Sequence, residues 1–249
     1  MVIDPRTSVI NKRLSRIRRI IAVSSGKGGV GKSMVATTLA LILKNSGCKV
    51  GLFDLDFTSP STHVILGAKI TPPKEEKGIV PPRVNGLEYI SLVYFVGDRP
   101  VPLRGEDTSN ALIELLTITQ WGTLDFLVID MPPGIGDAVL DLVRLIKRIE
   151  FLIVTTPSLL AFETVKKQVE LLCELKMPII GLVENMKMDT AEAVARETVK
   201  LGLNYLGAIV YDPLVEEAIG HEAKLLKTTI GKKLQQVVQS TTLTEKSAR

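Results

Sequence analysis

Two lysines stand where a phosphate-binding loop needs one. In the stretch SSGKGGVGKSMV, Gly26-Lys27-Gly28-Gly29-Val30-Gly31-Lys32-Ser33 fits the pattern G-x-x-x-x-G-K-[ST]. Glycines let the backbone wrap a phosphate with successive N–H groups turned inward, and the helix that follows, opening through Met34, adds its positive end. Lys32 would neutralise the β and γ phosphates of a nucleotide, and the Ser33 hydroxyl would ligate Mg²⁺. An apolar strand before the loop and a helical pattern after it supply the context this chemistry requires. A glycine-rich turn without a ligand is the competing reading, and it leaves that register unexplained.

Carboxylates supply the second part of the chemistry. Asp130 closes the strand LDFLVID, at the sheet edge where α/β proteins bind ligands, and would hold Mg²⁺ through water. Asp54 and Asp56, in FDLDFTSPS, lie two residues apart and so share a direction. Asp56, in the loop, is expected to orient an attacking water, and Asp54 to serve the outer sphere of the metal. A solvated strand end remains the alternative for each. In MPPGIGD, Gly134 would bring its N–H close to a γ-phosphate. Asp137 reads better as the N-cap of a helix from Ala138.

These residues need a scaffold. Short apolar runs begin at Arg19, Cys48, Leu87, Leu124, Phe151, Pro178 and Asn204, several apolar almost throughout, as in strands covered on both faces. Helical patterns span Lys32 to Ser46, Thr108 to Thr119, Gly136 to Arg148, Phe162 to Leu175 and Asp189 to Leu201. The alternation predicts a single three-layer α/β domain over residues 1–249, a mostly parallel sheet of about seven to eight strands with helices on both faces. The Pro/Lys/Glu-rich segment from Ala68 to Gly86 reads as a surface excursion. Residues 1–18 read as a basic extension, in which Ile10, Leu14 and Ile17 have helical spacing. Residues 240–249 read as a fraying tail. Leu226, Ile230, Leu234 and Val237 share one face of a last helix, which Gly231 interrupts.

Composition narrows the setting. The formal charge of +4 over 249 residues is mild, and no aromatics interleave with the basic run NKRLSRIRR, which argues against nucleic acid as a partner. No run reaches the ~18 apolar residues of a membrane span. The last helix lacks an aromatic anchor, which argues against a membrane surface. Two cysteines and no apolar leader fit a cytoplasmic location. Cys48 and Cys173 read as small buried hydrophobes, and His63 and His221 as surface or outer-sphere groups rather than metal ligands.

Taken in order, SSGKGGVGKS, DLDFTSPS, WGTLDFLVIDMPPGIGD, VTTPSLLAFETVKK, VENM and LGAIVYDPLVEEAIGHE resemble the Mrp/Nbp-type (ApbC-like) P-loop ATPases of the deviant-Walker MinD/ParA class. The resemblance runs from about Ile20 to about Glu222. It implies a P-loop NTPase fold, Mg²⁺ and ATP as cofactors, and a homodimer that sandwiches two ATP molecules. It also implies that Lys27 reaches the partner's nucleotide as an arginine finger would. Asn185 matches a position that binds the adenine ring through its amide, and Asp212-Pro213 matches a loop flanking the base. Carriers of this type usually bear C-x-x-C soon after ENM; here ENMKMDTAEAVARE has no cysteine. The ATPase parts are in place while the cluster site is missing. The expectation is therefore an ATP hydrolase in iron–sulfur assembly or metalloprotein maturation, working with a client that supplies the cysteines. A positioning switch on DNA or membrane, and a nucleotide-sensing scaffold with negligible turnover, are the alternatives.

Overall fold

The computed structural model describes residues 5–97, 106–134 and 136–241. Helix α1 (Arg6–Leu14) leads into β1 (Ile17–Ser24), the glycine loop and α2 (Lys32–Asn45). Next come β2 (Val50–Asp54), α3 (Thr62–Leu66), the short strands β3 (Lys74–Glu75), β4 (Ile79–Val80) and β5 (Arg83–Val84), then β6 (Leu87–Ser91) and α4 (Val93–Val96). The chain continues through α5 (Glu106–Ile118), β7 (Leu124–Asp130), α6 (Asp137–Leu145), β8 (Ile149–Thr155), α7 (Leu159–Glu174), β9 (Ile179–Lys187), α8 (Ala193–Lys200) and β10 (Tyr205–Val210). It closes with α9 (Leu214–Glu217), α10 (Glu222–Leu225) and α11 (Thr229–Ser240).

Eight strands form one sheet in the order β10-β9-β8-β1-β7-β2-β6-β5, parallel except for the β5–β6 pair. The glycine loop thus leaves a central strand, between β7 and β8. Alternate residues of β1 serve opposite faces. Ile20 and Ala22 join a cluster with Phe53, Ile129 and Phe151 under α1, α5, α6 and α7. Ile21 and Val23 join Leu52, Val128 and the buried side of α2 and α11. This two-sided burial is why the strands read as near-continuous apolar runs. Truncating a fully buried ring such as Phe151 to alanine would cost about 3–5 kcal/mol.

Several boundaries differ from the sequence expectation. Helix α7 starts three residues early because Ser158 caps it, its hydroxyl accepting from Ala161 N at 3.3 Å. Helix α8 starts four residues late, leaving residues 188–192 as a loop. The 68–86 excursion contains the β3–β4 hairpin and β5, which pairs with β6. Gly231 does not interrupt the last helix. It lies in the first turn of α11, where a Cβ would stand 2.4 Å from Leu226 O, so the close approach of the α10–α11 turn requires glycine. Asp137 is not a cap either: it is the first helical residue, exposed, after Gly136, and no side chain caps α6. The basic extension forms the helix that the spacing of Ile10 and Leu14 suggests, but Ile17 already opens β1. Ile10 and Leu14 are buried, Arg13 donates to the carbonyls of Thr117 and Lys77, and Arg19 pairs with Glu150 at 2.7 Å. Cys173 is exposed, not a buried hydrophobe, whereas Cys48 is half-buried against the core. His63 is buried within α3 and His221 is exposed. The tail from residue 242 lies outside the described residues.

Candidate functional site

The phosphate loop is set by two close approaches. Gly31, the N-cap of α2, has φ +79°, and a Cβ there would stand 2.3 Å from Asn185 Nδ2. A Cβ on Gly26 would meet the Thr164 backbone at 3.0 Å, so α7 packs directly beneath the loop. A Cβ on Gly28 or Gly29 would meet nothing within 4 Å, so this stretch borders open space at the N-terminal end of α2.

Lys32, 5% exposed, is gripped on two sides. Its Nζ lies 2.7 Å from Asp130 Oδ1 and 3.7 Å from Asp56 Oδ2, and also donates to Ser33 Oγ at 3.3 Å. Asp56 accepts in turn from Thr58 Oγ1 at 2.7 Å and Ser59 N at 3.2 Å, which fixes the start of the DFTSPS loop. Parallel pairing sets Asp54 of β2 directly beside Asp130 of β7. Asp54 is buried and accepts from Thr62 Oγ1 at 2.6 Å, Asp56 N at 3.1 Å and Ser91 Oγ at 3.4 Å; the Thr62 hydroxyl also meets Tyr89 Oη at 2.8 Å. Burial and the Asp130 charge push Asp54 up to about 7, against the pull of Thr62 and Lys32. Burial likewise raises Asp130, against the opposing pull of Lys32.

Two buried carboxyl groups, Asp130 and Asp56, therefore flank one buried ammonium, with Asp54 buried beside Asp130. Asp130 Oδ2 has no hydrogen-bond partner among the described residues. An orphaned carboxylate oxygen beside the Ser33 hydroxyl is a donor set suited to a hard divalent cation such as Mg²⁺.

Beyond the loop opens a cavity of about 640 Å³, within the range for small-molecule sites. Lys27, Gly28, Gly29, Gly31, Lys32, Ser33, Met34 and Asp56 line one wall. The opposite wall comes from Asn185, Met186, Ile209, Tyr211, Asp212, Val215 and Ile230. Asn185 joins the walls, since its Nδ2 donates to Val30 O at 2.9 Å. Val30 itself is buried beneath the loop. Asp212 turns its carboxylate to the backbone N–H groups of Thr229 and Leu214, which hold it below the usual range. Pro213 caps α9 rather than lining the cavity. Gly134 does not turn its N–H to the phosphate side as expected: it donates to Ser25 O at 2.9 Å. Lys27 is exposed at the mouth, where its carbonyl accepts from Ser25 Oγ at 3.0 Å.

Sequence reasoning misses Thr62, which holds Asp54, Tyr89, which backs the Thr62 hydroxyl, and the apolar residues of β10 and beyond. Only the threonine has a local signal, since it directly follows the DFTSPS loop. Both cysteines lie far from the cavity: Cys48 precedes β2 and Cys173 ends α7, at the opposite sheet edge from the loop. Among the described residues no helix is long and apolar enough to cross a membrane.

Comparisons with known proteins place the chain among relatives. The chain is similar to the iron–sulfur cluster carrier protein of Aquifex aeolicus (strain VF5), 37% identical over 257 residues, covering 92% of this chain and 70% of that protein. It is 44% identical over 177 residues to the iron–sulfur cluster carrier protein of Pseudomonas fragi, spanning 70% of this chain and only 62% of that one. Over 176 residues it is 45% identical to the chloroplastic Fe-S cluster assembly factor HCF101 of Arabidopsis thaliana, of which it spans 33%. Among solved structures, the nucleotide-binding protein of Archaeoglobus fulgidus in complex with ADP superposes with a TM-score of 0.73 at 28% identity, covering 92% of each chain. The cell division ATPase MinD of Pyrococcus furiosus, at 22% identity, shares the fold with a TM-score of 0.66, covering 89% of this chain and 97% of that one. The family model described as ParA, NUBPL iron-transfer P-loop NTPase, matches residues 16–242, and the chain belongs to that family.

Proposed function

We propose that this chain is a Mg·ATP-dependent ATPase that assists iron–sulfur cluster assembly without carrying the cluster on its own cysteines. The observation that carries the ATPase reading is Lys32, a buried ammonium held by Asp130 and Asp56 at the edge of an open glycine cradle. ATP would lie with its phosphates along residues 26–34 and its base against Asn185, Met186 and the loop at Asp212. Ser33 would hold Mg²⁺ directly, with Asp130 and Asp54 acting through water; the ion supplies charge neutralisation of the phosphates. Asp56 is aimed by Thr58 and Ser59 and would orient the attacking water, while Lys32 stabilises charge on the γ-phosphate. Gly134 would have to release its N–H from Ser25 O to donate to the γ-phosphate.

Lys27, exposed at the mouth, would complete the site of a second copy, so that ATP gates a homodimer. Exposed apolar side chains at the same sheet edge favour a covered face: Leu160 is 81% exposed and Met188 83%. The relatives' names point to iron–sulfur work, while Cys48 and Cys173 sit at the far edge of the sheet. A client protein would then own the thiolates. Single-turnover hydrolysis of ATP by wild type and Asp56→Ala tests the enzyme: wild type should turn over and the variant should be slowed. Reconstitution with iron and sulfide tests the rest, and a stable cluster on this chain alone would contradict it.

A further inference from the structure

The wall of the cavity opposite the phosphate loop is built on an irregularity. Between Ala208↔Glu184 and Val210↔Lys187, β9 advances three residues while β10 advances two. The extra residue is a β-bulge, a device that re-aims a side chain. Met186, at its centre, has φ +60°, a left-handed conformation that a non-glycine residue adopts only when its surroundings impose it.

The surroundings are visible. Glu184 is 1% exposed, and both of its carboxylate oxygens accept from Lys187 Nζ at 3.0 Å. Tyr205 of β10 donates its hydroxyl to the same carboxylate, and burial with that contact pushes the phenol upward. Lys187 also donates to Ala191 O in the loop before α8. In a regular strand residues 184 and 187 would face opposite sides. The bulge lets them meet, and their pairing holds the bulge. Between them lie Asn185 and Met186, both lining the cavity.

We infer that Glu184 is a positioning residue: with Lys187 and Tyr205 it clamps the corner formed by Asn185 and Met186, and so sets the affinity for the nucleoside half of the ligand far more than for its phosphates. The inference rests on the nucleotide reading above.

The test is competition against a fluorescent ATP analogue, with Mg²⁺, by ATP and by inorganic tripolyphosphate, which engages the phosphate loop alone. Glu184→Ala and Lys187→Met should weaken ATP about tenfold, the loss of one charge-assisted contact, and leave tripolyphosphate within about twofold. Glu184→Gln, which keeps the shape and the acceptor for Tyr205, should recover most of the ATP affinity. Tyr205→Phe trims one hydroxyl and carries the same comparison if Glu184→Ala does not fold; it should weaken ATP about threefold. Unchanged ATP affinity in these variants, or equal losses for both competitors, overturns the clamp. A wild-type chain that binds no ATP overturns the nucleotide reading and the clamp with it.

Discussion

The two walls of the cavity are built by opposite means. The phosphate wall leaves β1, a central strand flanked by β7 and β8, and its left-handed residues are the glycines Gly29 and Gly31. Apart from the exposed Lys27, its charges are buried and already engaged with one another. The facing wall belongs to β9 and the edge strand β10, whose residues are mostly half-buried, and the positive-φ residue that lines the cavity there is Met186. The first wall gets its geometry from residue types that tolerate it. The second gets its geometry from a clamp of side chains that forces it. Binding of phosphate should therefore be insensitive to changes at the edge strand, while recognition of the base should be adjustable there.

Substitutions in each wall probe this difference. The largest effect concerns the carboxylates under the phosphate wall. Asp54 is raised by burial and by Asp130, so the folded chain holds its proton more tightly than the unfolded chain does. Stability without nucleotide or Mg²⁺ should fall as pH rises from about 4 to about 7, by on the order of 4 kcal/mol, and stay low above that window. Asp54→Asn should flatten this slope in denaturant unfolding at a series of pH values; an equal slope in both proteins would contradict the assignment. Next is Lys32→Ala, expected to weaken ATP and tripolyphosphate alike by roughly 100-fold, since it removes charge-assisted bonds to the phosphates. Affinity for either ligand that survives intact would refute the phosphate wall as described. Asn185→Ala should weaken ATP about tenfold and tripolyphosphate little, with about 1 kcal/mol of stability lost with the Val30 hydrogen bond. Calorimetric titration with the two ligands separates these outcomes. The smallest effect is Cys173→Ser, an exposed position away from both walls. It should change stability by less than about 0.5 kcal/mol and leave ATP hydrolysis unaltered.

The two walls also differ in how plainly the sequence announces them. The glycine loop, Lys32, Asp130 and the β-α alternation are local signals, because each depends on residue types at fixed spacing along one segment. The parallel sheet follows from apolar runs buried on both faces. The clamp is not legible, because Glu184 and Tyr205 meet across two strands separated by α8 and depend on a register shift that no periodicity encodes. Tyr89 is hidden for the same reason: it meets Thr62, and through it Asp54, only once β6 lies beside β2. Asp137 reads as a cap because an acidic residue commonly opens a helix, yet it also suits the first turn, where the dipole favours it. Cys173 reads as buried from its residue type, but its position on α7 faces outward.

If ATP gates the pairing of two copies through Lys27, the mass of the protein in solution must respond to both. The measurement compares wild type with Lys27→Ala, each with Mg²⁺ and a slowly hydrolysed ATP analogue. A ligand-dependent dimer in wild type that Lys27→Ala abolishes is the predicted result. A dimer that forms regardless of ligand, or a variant that dimerises as wild type does, would contradict it.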